Sequence, residues 1–290
     1  MNTYTHTANQ TGNTHSTMQD AIFNAGLGYP DIIDDGKIHR FSAPDDKHGS
    51  KNCWYVSFGS GGKFGSWKLG FSEIWHDGSS STDRAELSHQ IKEAQQKRKD
   101  EIKRNRKLAQ ENARNLWDAG SEIINHPYPD NKLIKPYGAR QKGQILLIPM
   151  FFDDRLVNVQ RIFADGKKRF LKGGRVTGCY MRLGTITDHV FICEGFSTGC
   201  SLHEHTGTPV VVAFNAGNLE PVAKIIREKY PDAEITITAD NDIHTEGNTG
   251  LTKARKAAAT VGGDFIYPDF SDEEFDGTDY NDYLTQGGAM

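Results

Sequence analysis

The sequence predicts an α/β protein with a parallel sheet near its C-terminus, preceded by a basic α+β subdomain, a connector helix and a small N-terminal α+β module. Three observations lead to this order. Strand-like and helix-like segments alternate regularly from residue 190 to 267. Residues 91–117 form a basic stretch of mostly helix-forming residues without Gly or Pro. Before that stretch, aromatic segments alternate with period two between Gly-rich turns.

In the C-terminal part, β-branched strands are separated by segments of helix length. The predicted strands are VFICE, PVVVAF, EITITADND and DFIYP, and the helices between them are FSTGCSLHEHTG, EPVAKIIREKY and GLTKARKAAATVGG. Strands that are joined through helices pair in parallel, with the helices packed on the sheet. We therefore expect residues 189–290 to form one α/β domain.

The preceding segments divide into four predicted parts. Two apolar runs flank Asp153-Asp154-Arg155, which indicates a β-hairpin, and the basic run KKRFLKGGR follows it; both belong to a subdomain at 120–188. The stretch 91–117 holds nine Lys or Arg against four Asp or Glu and lies in a connector, 81–119, expected to be one long helix or two. Residues 16–80 form the N-terminal module, and residues 1–15 are expected to be a disordered tail.

Composition excludes several classes of protein. A net charge of -4 and a pI near 6.3 exclude a uniformly basic nucleic-acid coat protein, although not a local basic track. There is no long apolar run for a membrane span and no secretory signal pattern, so we expect a cytoplasmic protein. The four cysteines never form a CxxC pair, which argues against a zinc ribbon and a disulfide framework. No GxxxxGK[ST] motif of a P-loop ATPase is present.

Acidic residues follow three of the predicted C-terminal segments. They are Glu194 in ICEGFSTG, Asp240 and Asp242 in ITADND, and Asp279 and Asp282 in GTDYND. Open α/β sheets place their sites at the carboxyl ends of the strands. Any one of these residues would also serve as a helix cap or a solvated loop charge. Three clusters together indicate a site for Mg²⁺ or Mn²⁺, because these cations prefer oxygen ligands and neutralise the repulsion between carboxylates.

Glu-Gly after one strand and Asp-x-Asp after a later strand is the pattern of the Toprim domain. The chain resembles the Toprim primases of phages and conjugative plasmids, the TraC type, which are related to the catalytic core of DnaG-type primases. The resemblance covers nearly the whole chain except the first fifteen residues. It rests on segments in fixed order: DGKIHRF, WYVSF, FGSWKLG, IPMFFDDRLVNVQRI, KKRFLKGGR, CEGFSTGCSLHEHTGTPVVVAFNAGNL, ITADND and GTDYND.

The resemblance implies a Rossmann-like Toprim fold and a metal-dependent DNA primase, a nucleotidyltransferase that makes short RNA primers. Its partners would be a single-stranded DNA template, ribonucleoside triphosphates and a replicative helicase or other replication protein. Glu194, Asp240 and Asp242 would be catalytic and would hold two Mg²⁺ or Mn²⁺ ions, with Asp279 and Asp282 as further ligands and no zinc. The three-residue separation of Asp279 and Asp282 departs from the tighter Asp-x-Asp of DnaG-type primases, so which of the two reaches a metal stays open.

Basic residues that precede the acidic clusters are candidates to bind template and nucleotide. They are Arg140, Arg161, Lys168, Arg169, Lys172 and Arg175. Each of them, taken singly, is equally well explained as a solvated surface charge. Two alternatives to a primase remain: a Toprim nuclease, in which water attacks, and a non-catalytic single-stranded-DNA-binding accessory protein. The basic segments favour the primase over the nuclease, and the five carboxylates argue against the accessory protein.

The N-terminal module is rich in aromatic residues and holds no cluster of carboxylates. Its aromatic side chains are Trp54, Tyr55, Phe58, Phe64, Trp67 and Trp75. Such rings, mixed with Arg40 and several lysines, suit unstacked bases on a charged surface. Core packing is the more common role of aromatic residues, and a structural cap or a docking site for another replication protein is the competing interpretation of the module.

Overall fold

The structure is a computed structural model that describes residues 17–78, 81–241, 248–270 and 277–289. The described residues form two compact units, divided between Glu101 and Ile102. The predicted disordered tail, residues 1–15, lies outside the described residues. Among the helices that are described, none combines the length and the apolar character that spanning a bilayer requires.

The N-terminal module is a helix packed on a four-stranded antiparallel sheet. The elements are α1 (Met18–Asn24), β1 (His39–Phe41), β2 (Cys53–Ser57), β3 (Gly61–Ser66) and β4 (Phe71–His76), with the strands in sequential order across the sheet. Thr17 caps α1 by accepting a hydrogen bond from the Asp20 backbone N–H at 3.1 Å. The core includes Ile22 on α1 and Phe64 on β3, both fully buried.

Two details of this module differ from the sequence-based expectation. The Gly-rich sequence predicts a turn over residues 59–62 and a strand over 64–69, but in the structure the turn takes only Gly59 and Ser60, and Gly61 and Gly62 begin β3. Strand β3 ends at Ser66, and β4 is an additional strand. The reason lies in packing. A Cβ atom at Gly62 would stand 2.4 Å from Met18 Cε of α1 and 2.2 Å from the Val56 carbonyl oxygen. Glycine is therefore required inside this strand because helix and sheet approach closely there.

The connector is a single helix, α2 (Ser81–Asp118). The sequence allowed one helix or two. Most side chains described between residues 92 and 108 are exposed, as the sparse apolar positions predict. Nearer its end, Ala113 packs with Leu147 and Val159, so the last turns of α2 belong to the core of the second unit.

A second antiparallel sheet follows α2 and carries most of the predicted basic residues. Its elements are a short helix α3 (Pro127–Lys132) and the strands β5 (Arg140–Lys142), β6 (Ile145–Phe152), β7 (Arg155–Phe163) and β8 (Lys168–Phe170), which neighbour one another in that order. The predicted hairpin is confirmed. Asp153 and Asp154 have φ values of 50° and 55° and form its two-residue turn, which matches the twist of the flanking strands.

The C-terminal domain is a five-stranded sheet between helices. Its elements are β9 (Met181–Leu183), β10 (His189–Cys193), α4 (Phe196–Thr206), β11 (Val210–Val212), α5 (Leu219–Lys229), β12 (Glu234–Thr238), α6 (Thr249–Val261), β13 (Asp264–Ile266) and α7 (Tyr280–Thr285). The strand order is β13-β12-β10-β11-β9, and β10 to β13 run parallel as predicted.

The fifth strand, β9, was not predicted. It pairs antiparallel with β11 and comes from the chain before the predicted domain boundary at residue 189. Its three residues, MRL, are too short for a periodic signal. Antiparallel edge strands on otherwise parallel sheets are common in α/β folds.

Asn218 joins the segment before β9 to the end of β11. Its side chain is 2% exposed. Oδ1 accepts from the Gly178 N–H at 2.7 Å, and Nδ2 donates to the carbonyl oxygens of Cys179 and Ala213 at 2.8 and 2.7 Å. One buried amide thus satisfies three backbone groups that lie outside the strands and have no strand partner there.

We predict that Asn218→Ala lowers the free energy of unfolding by about 3 kcal/mol, because each buried group left without a partner costs about 1–3 kcal/mol. Urea unfolding followed by circular dichroism measures this change. Asn125→Ala, at an exposed position, is the matched control and should change stability by less than about 0.5 kcal/mol. An equal effect of the two substitutions would contradict the role of Asn218.

Candidate functional site

Glu194 and Asp240 follow adjacent parallel strands at the same end of the sheet. Cys193, the last residue of β10, pairs with Thr238, the last residue of β12. Glu194 is therefore level with Ala239, one residue before Asp240. Both carboxylates belong to half-buried residues. Asp242 lies in the segment 242–247, outside the described residues.

The loop that carries Asp240 is held on both sides. The backbone N–H of Asn241 donates to the Thr278 carbonyl at 2.7 Å, and its side-chain Nδ2 donates to the Pro268 carbonyl at 2.9 Å. On α6, a Cβ atom at Gly250 would stand 2.8 Å from the Asp240 carbonyl oxygen. The close approach of α6 and the two bonds from Asn241 fix the backbone of Asp240 beside the segment that precedes Asp279.

The buried thiol of Cys193 lies within electrostatic reach of all three acidic segments. Burial raises the pKa of this thiol well above its ordinary range, and the charges of Asp240, Asp279 and Glu194 raise it further, with Cys200 also contributing. A carboxylate disfavours the thiolate only when the two groups are close. Glu194, Asp240 and Asp279, one carboxylate from each predicted cluster, therefore lie near the same end of the sheet.

Asp279 and Asp282 have different surroundings on the last helix. Asp279 is the N-cap of α7, and its Oδ1 accepts from the backbone N–H groups of Asn281 and Asp282 at 2.7 and 3.1 Å. Asp282 forms an ion pair with Lys132 at 2.7 Å. Burial lowers the pKa of Lys132, but the hydrogen bond to Asp282 and the charges of Asp279 and Asp282 outweigh it, and the net shift is upward.

The side chain of Asn281 connects α7 to α3 and to α4. The residue is 1% exposed. Its Nδ2 donates to the Lys132 carbonyl at 2.7 Å and to Ser201 Oγ at 2.8 Å. Ser201 lies on α4, the helix that follows Glu194 directly. This amide therefore ties the third acidic cluster to the helix of the first cluster and to α3.

A cavity of about 490 Å³ opens beside this ion pair. Residues from α3, from the turn between β7 and β8 and from α7 line it, among them Tyr128, Lys132, Lys168 and Asp282. The Lys168 ammonium stands 5.5 Å from the centre of the Tyr128 ring. The structure therefore brings Lys168, a residue singled out from the sequence, to the third acidic cluster.

Lys132 and Tyr128 were missed by the sequence analysis. The sequence places Lys132 in an unremarkable segment, and its partner Asp282 is 150 residues away. The local signal in this segment is PYP at residues 127–129. It indicates the start of a helix, because proline is favoured in the first helical turn. That signal locates α3 but does not indicate what it contacts.

The remaining basic residues are spread along the antiparallel sheet. Arg161 and Arg169 stand directly opposite each other on β7 and β8, and the buried Arg161 Nε has no hydrogen-bond partner among the described residues. Arg140 donates to the Trp117 carbonyl at 2.9 Å and lies over the Trp117 ring. Arg175 lies over the Phe152 ring at 3.2 Å, and Lys172 is exposed.

The donor chemistry at the acidic end of the sheet suits a hard cation, since every candidate ligand is a carboxylate. A further polar group points to an unfilled bonding capacity there. The Thr198 hydroxyl is buried without a partner among the described residues and lies 3.2 Å from the position of a Cβ on Gly195, which follows Glu194. Within the described residues, no three His, Cys, Asp or Glu side chains are grouped closely enough to hold one metal ion.

We predict that Asn281→Ala lowers the free energy of unfolding by about 2 kcal/mol, because the buried Lys132 carbonyl loses its donor. Chemical unfolding measures the change. Gln286→Ala is the matched control, since the exposed Gln286 amide also bonds a backbone carbonyl at the same helix, that of Asp282. A cost at residue 286 as large as that at residue 281 would show that Asn281 has no special role in docking α7.

Comparison with known proteins places these observations in a family. Residues 189–290 match the Toprim domain family. Two curated proteins of Escherichia coli, both named DNA primase TraC, are 31% and 32% identical to this chain over 262 residues, or 83% of it. The match covers 25% and 18% of their own length, so the chain spans a quarter or less of these relatives.

One solved structure also matches, in a complex of bacteriophage T7 lagging-strand DNA polymerase with primase domains bound to an RNA/DNA hybrid and dTTP. The identity is 12%, the match covers 51% of this chain and 76% of the other, and the TM-score is 0.35. A similarity this low supports no inference about the fold. Residues 189–290, which carry the parallel sheet and the acidic strand ends, are thus a Toprim domain by their family match, and the chain resembles one segment of the TraC primases.

Proposed function

We propose that this protein is a DNA primase that makes short RNA primers on single-stranded DNA in a metal-dependent reaction, for phage or plasmid replication. The observation that supports the proposal is that Glu194 and Asp240 follow adjacent parallel strands, and that the loop of Asp240 is hydrogen-bonded to the segment before Asp279. The two similar proteins of Escherichia coli, both named DNA primase TraC, support it. A cytoplasmic location and a replicative helicase or other replication protein as partner belong to the same proposal.

In this proposal Glu194, Asp240 and Asp242 hold Mg²⁺ or Mn²⁺, with Asp279 and Asp282 as the further ligands of a two-ion site. When bound, the ions supply positive charge to the phosphoryl group in transfer and orient the attacking and leaving oxygens. The protein contributes rigid placement. Asn241 and Asn281 hold two of the acidic segments by buried hydrogen bonds, so the carboxylates keep their positions before a cation arrives.

Lys132 has a separate part in the proposed site. Its ammonium neutralises Asp282 at 2.7 Å. An ammonium placed in this way lowers the repulsion between Asp282 and the other carboxylates of the cluster. It also makes Asp279 the more available ligand of the third cluster, with Asp282 available only when Lys132 moves to another anion such as a triphosphate.

The antiparallel sheet supplies the proposed contacts to template and ribonucleoside triphosphate. Two like charges directly opposite on neighbouring strands are destabilising, and Arg161 and Arg169 form such a pair. A phosphate group between them would remove the repulsion. Lys168 shares its cavity with Asp282, so a phosphate held there would lie next to the acidic cluster. Arg140, Lys172 and Arg175 are further proposed contacts to the template or the nucleotide.

We predict that Asp240→Asn or Glu194→Gln lowers primer synthesis by about a hundredfold or more, since each removes a ligand of an ion worth several kcal/mol to the transition state. The assay follows labelled ribonucleotides on single-stranded DNA with Mg²⁺ or Mn²⁺. Stability without metal should stay equal or rise, because a repelling charge is gone.

Glu234→Gln is the matched control, because Glu234 is an exposed carboxylate at the opposite end of the strand that leads to Asp240. It should retain full activity. Wild-type activity in Asp240→Asn at low Mg²⁺ would contradict the metal site. Degradation of the DNA without primer formation, abolished by the same substitutions, would identify the Toprim nuclease instead.

A further inference from the structure

The sheet of the N-terminal module has one face toward its core and one face away from it. Tyr55 and Phe64 lie opposite each other on β2 and β3 and are buried under α1. Residues alternate between the faces along a strand, so their neighbours Trp54 and Lys63 lie on the outer face. The structure thus separates the aromatic residues that the sequence left together: Tyr55, Phe64 and Trp75 belong to the core, while Trp54 lies on the outer face.

Three side chains stack on one another at that outer face and form the tryptophan platform (Arg40, Trp54 and Trp67). The rings of Trp54 and Trp67 are stacked, with centroids 5.8 Å apart and planes at 29°. The Arg40 guanidinium lies 4.9 Å from the centre of the Trp67 ring. Trp67 nevertheless remains 51% exposed, so half of the largest apolar residue of the module faces solvent.

The guanidinium of Arg40 is fixed in place. Its Nε and one terminal nitrogen both donate to the Lys51 carbonyl, at 3.0 and 2.6 Å. Arg40 also faces Trp54 across the β1–β2 pairing. Because its orientation is set by these two bonds, the plane of the platform exists before any ligand binds, which reduces the entropy lost on binding.

Two cross-strand rows of this face hold charges of one sign, while beside Trp67 the ammonium of Lys68 is paired with Asp45 at 2.7 Å. One cross-strand row is Arg40, Trp54, Gly65 and Ser72, and the next is Val56, Lys63 and Ile74. These two rows hold two cations and no carboxylate. Gly65 and Ser72 add no bulk beside Trp54, so the rings border a shallow, open strip. Flat rings beside cations are the combination that binds stacked bases and the phosphates between them.

We propose that the tryptophan platform is a binding site for single-stranded DNA, in which a base stacks on the exposed face of Trp67 and the adjoining phosphates lie toward Arg40 and Lys63. The three side chains of the platform all belong to the N-terminal module and include no catalytic group. It rests on the proposed function only in the choice of single-stranded DNA as the nucleic acid.

The test measures binding of a fluorescently labelled oligothymidylate to the full chain by anisotropy. Trp67→Ala should weaken binding by about tenfold, since one lost stacking contact corresponds to roughly 5- to 150-fold. Trp67→Tyr should restore most of the affinity. Phe23→Ala is the matched control: Phe23 is 61% exposed on α1, which covers the other face of the sheet, and its loss should leave binding unchanged.

An abasic oligonucleotide of the same length separates stacking from charge. It keeps the phosphates, so wild type and Trp67→Ala should bind it equally, whereas Lys63→Gln should weaken binding to both oligonucleotides. Equal affinity of wild type and Trp67→Ala for oligothymidylate would overturn the proposal and leave the platform to a protein partner. An equal loss on the abasic strand would also overturn it.

The outcome does not depend on the priming reaction. Binding is measured without metal or nucleotide, so Glu194→Gln should bind the oligothymidylate as well as wild type does. Conversely, a wild-type protein that binds oligothymidylate but makes no primers would contradict the primase and leave the platform standing. Failure of the platform and failure of the proposed primase activity therefore give different results.

Discussion

The proposed site depends on the parallel pairing of β10 and β12, which places Glu194 and Asp240 at the same edge of the sheet. The carboxyl ends of parallel strands meet at one edge of a sheet, so a chain with acidic residues after its strands brings negative charges together. Glu194, Asp240 and Asp279 are half-buried rather than buried. Their charges add to the effect of burial in raising the pKa of the Cys193 thiol. Lys132 neutralises Asp282, and the proposed divalent ions would neutralise the others.

Buried asparagine side chains fix the irregular backbone segments around this edge of the sheet. Asn218 joins the segment before β9 to the end of β11, Asn241 fixes the loop after β12, and Asn281 ties α7 to α3 and α4. An amide side chain can donate and accept hydrogen bonds, so it can satisfy irregular backbone where strands end. Loops held by several buried hydrogen bonds can carry charged groups at set positions, which is what an electrostatic site requires.

The parallel strands of the Toprim domain could be predicted because β-branched runs and helix-length segments alternate in the sequence. The acidic ends of the strands followed from the same alternation. Strand β9 and the Lys132–Asp282 pair could not be predicted, since the first is three residues long and the second joins residues 150 apart. Composition likewise could not separate the buried Phe64 from the exposed Trp67, because only the pairing of the strands decides which face each ring takes.

Localised cleavage by bound iron tests the central claim, that the three acidic segments form one site for a divalent cation, most directly. Fe²⁺ would replace Mg²⁺, and hydroxyl radicals formed from peroxide and ascorbate would cut the nearby backbone. The account predicts cuts near Glu194, Asp240 and Asp279 together, suppressed by excess Mg²⁺ and lost in Asp240→Asn. Cuts near only one of these residues, or cuts that excess Mg²⁺ does not suppress, would contradict a shared site.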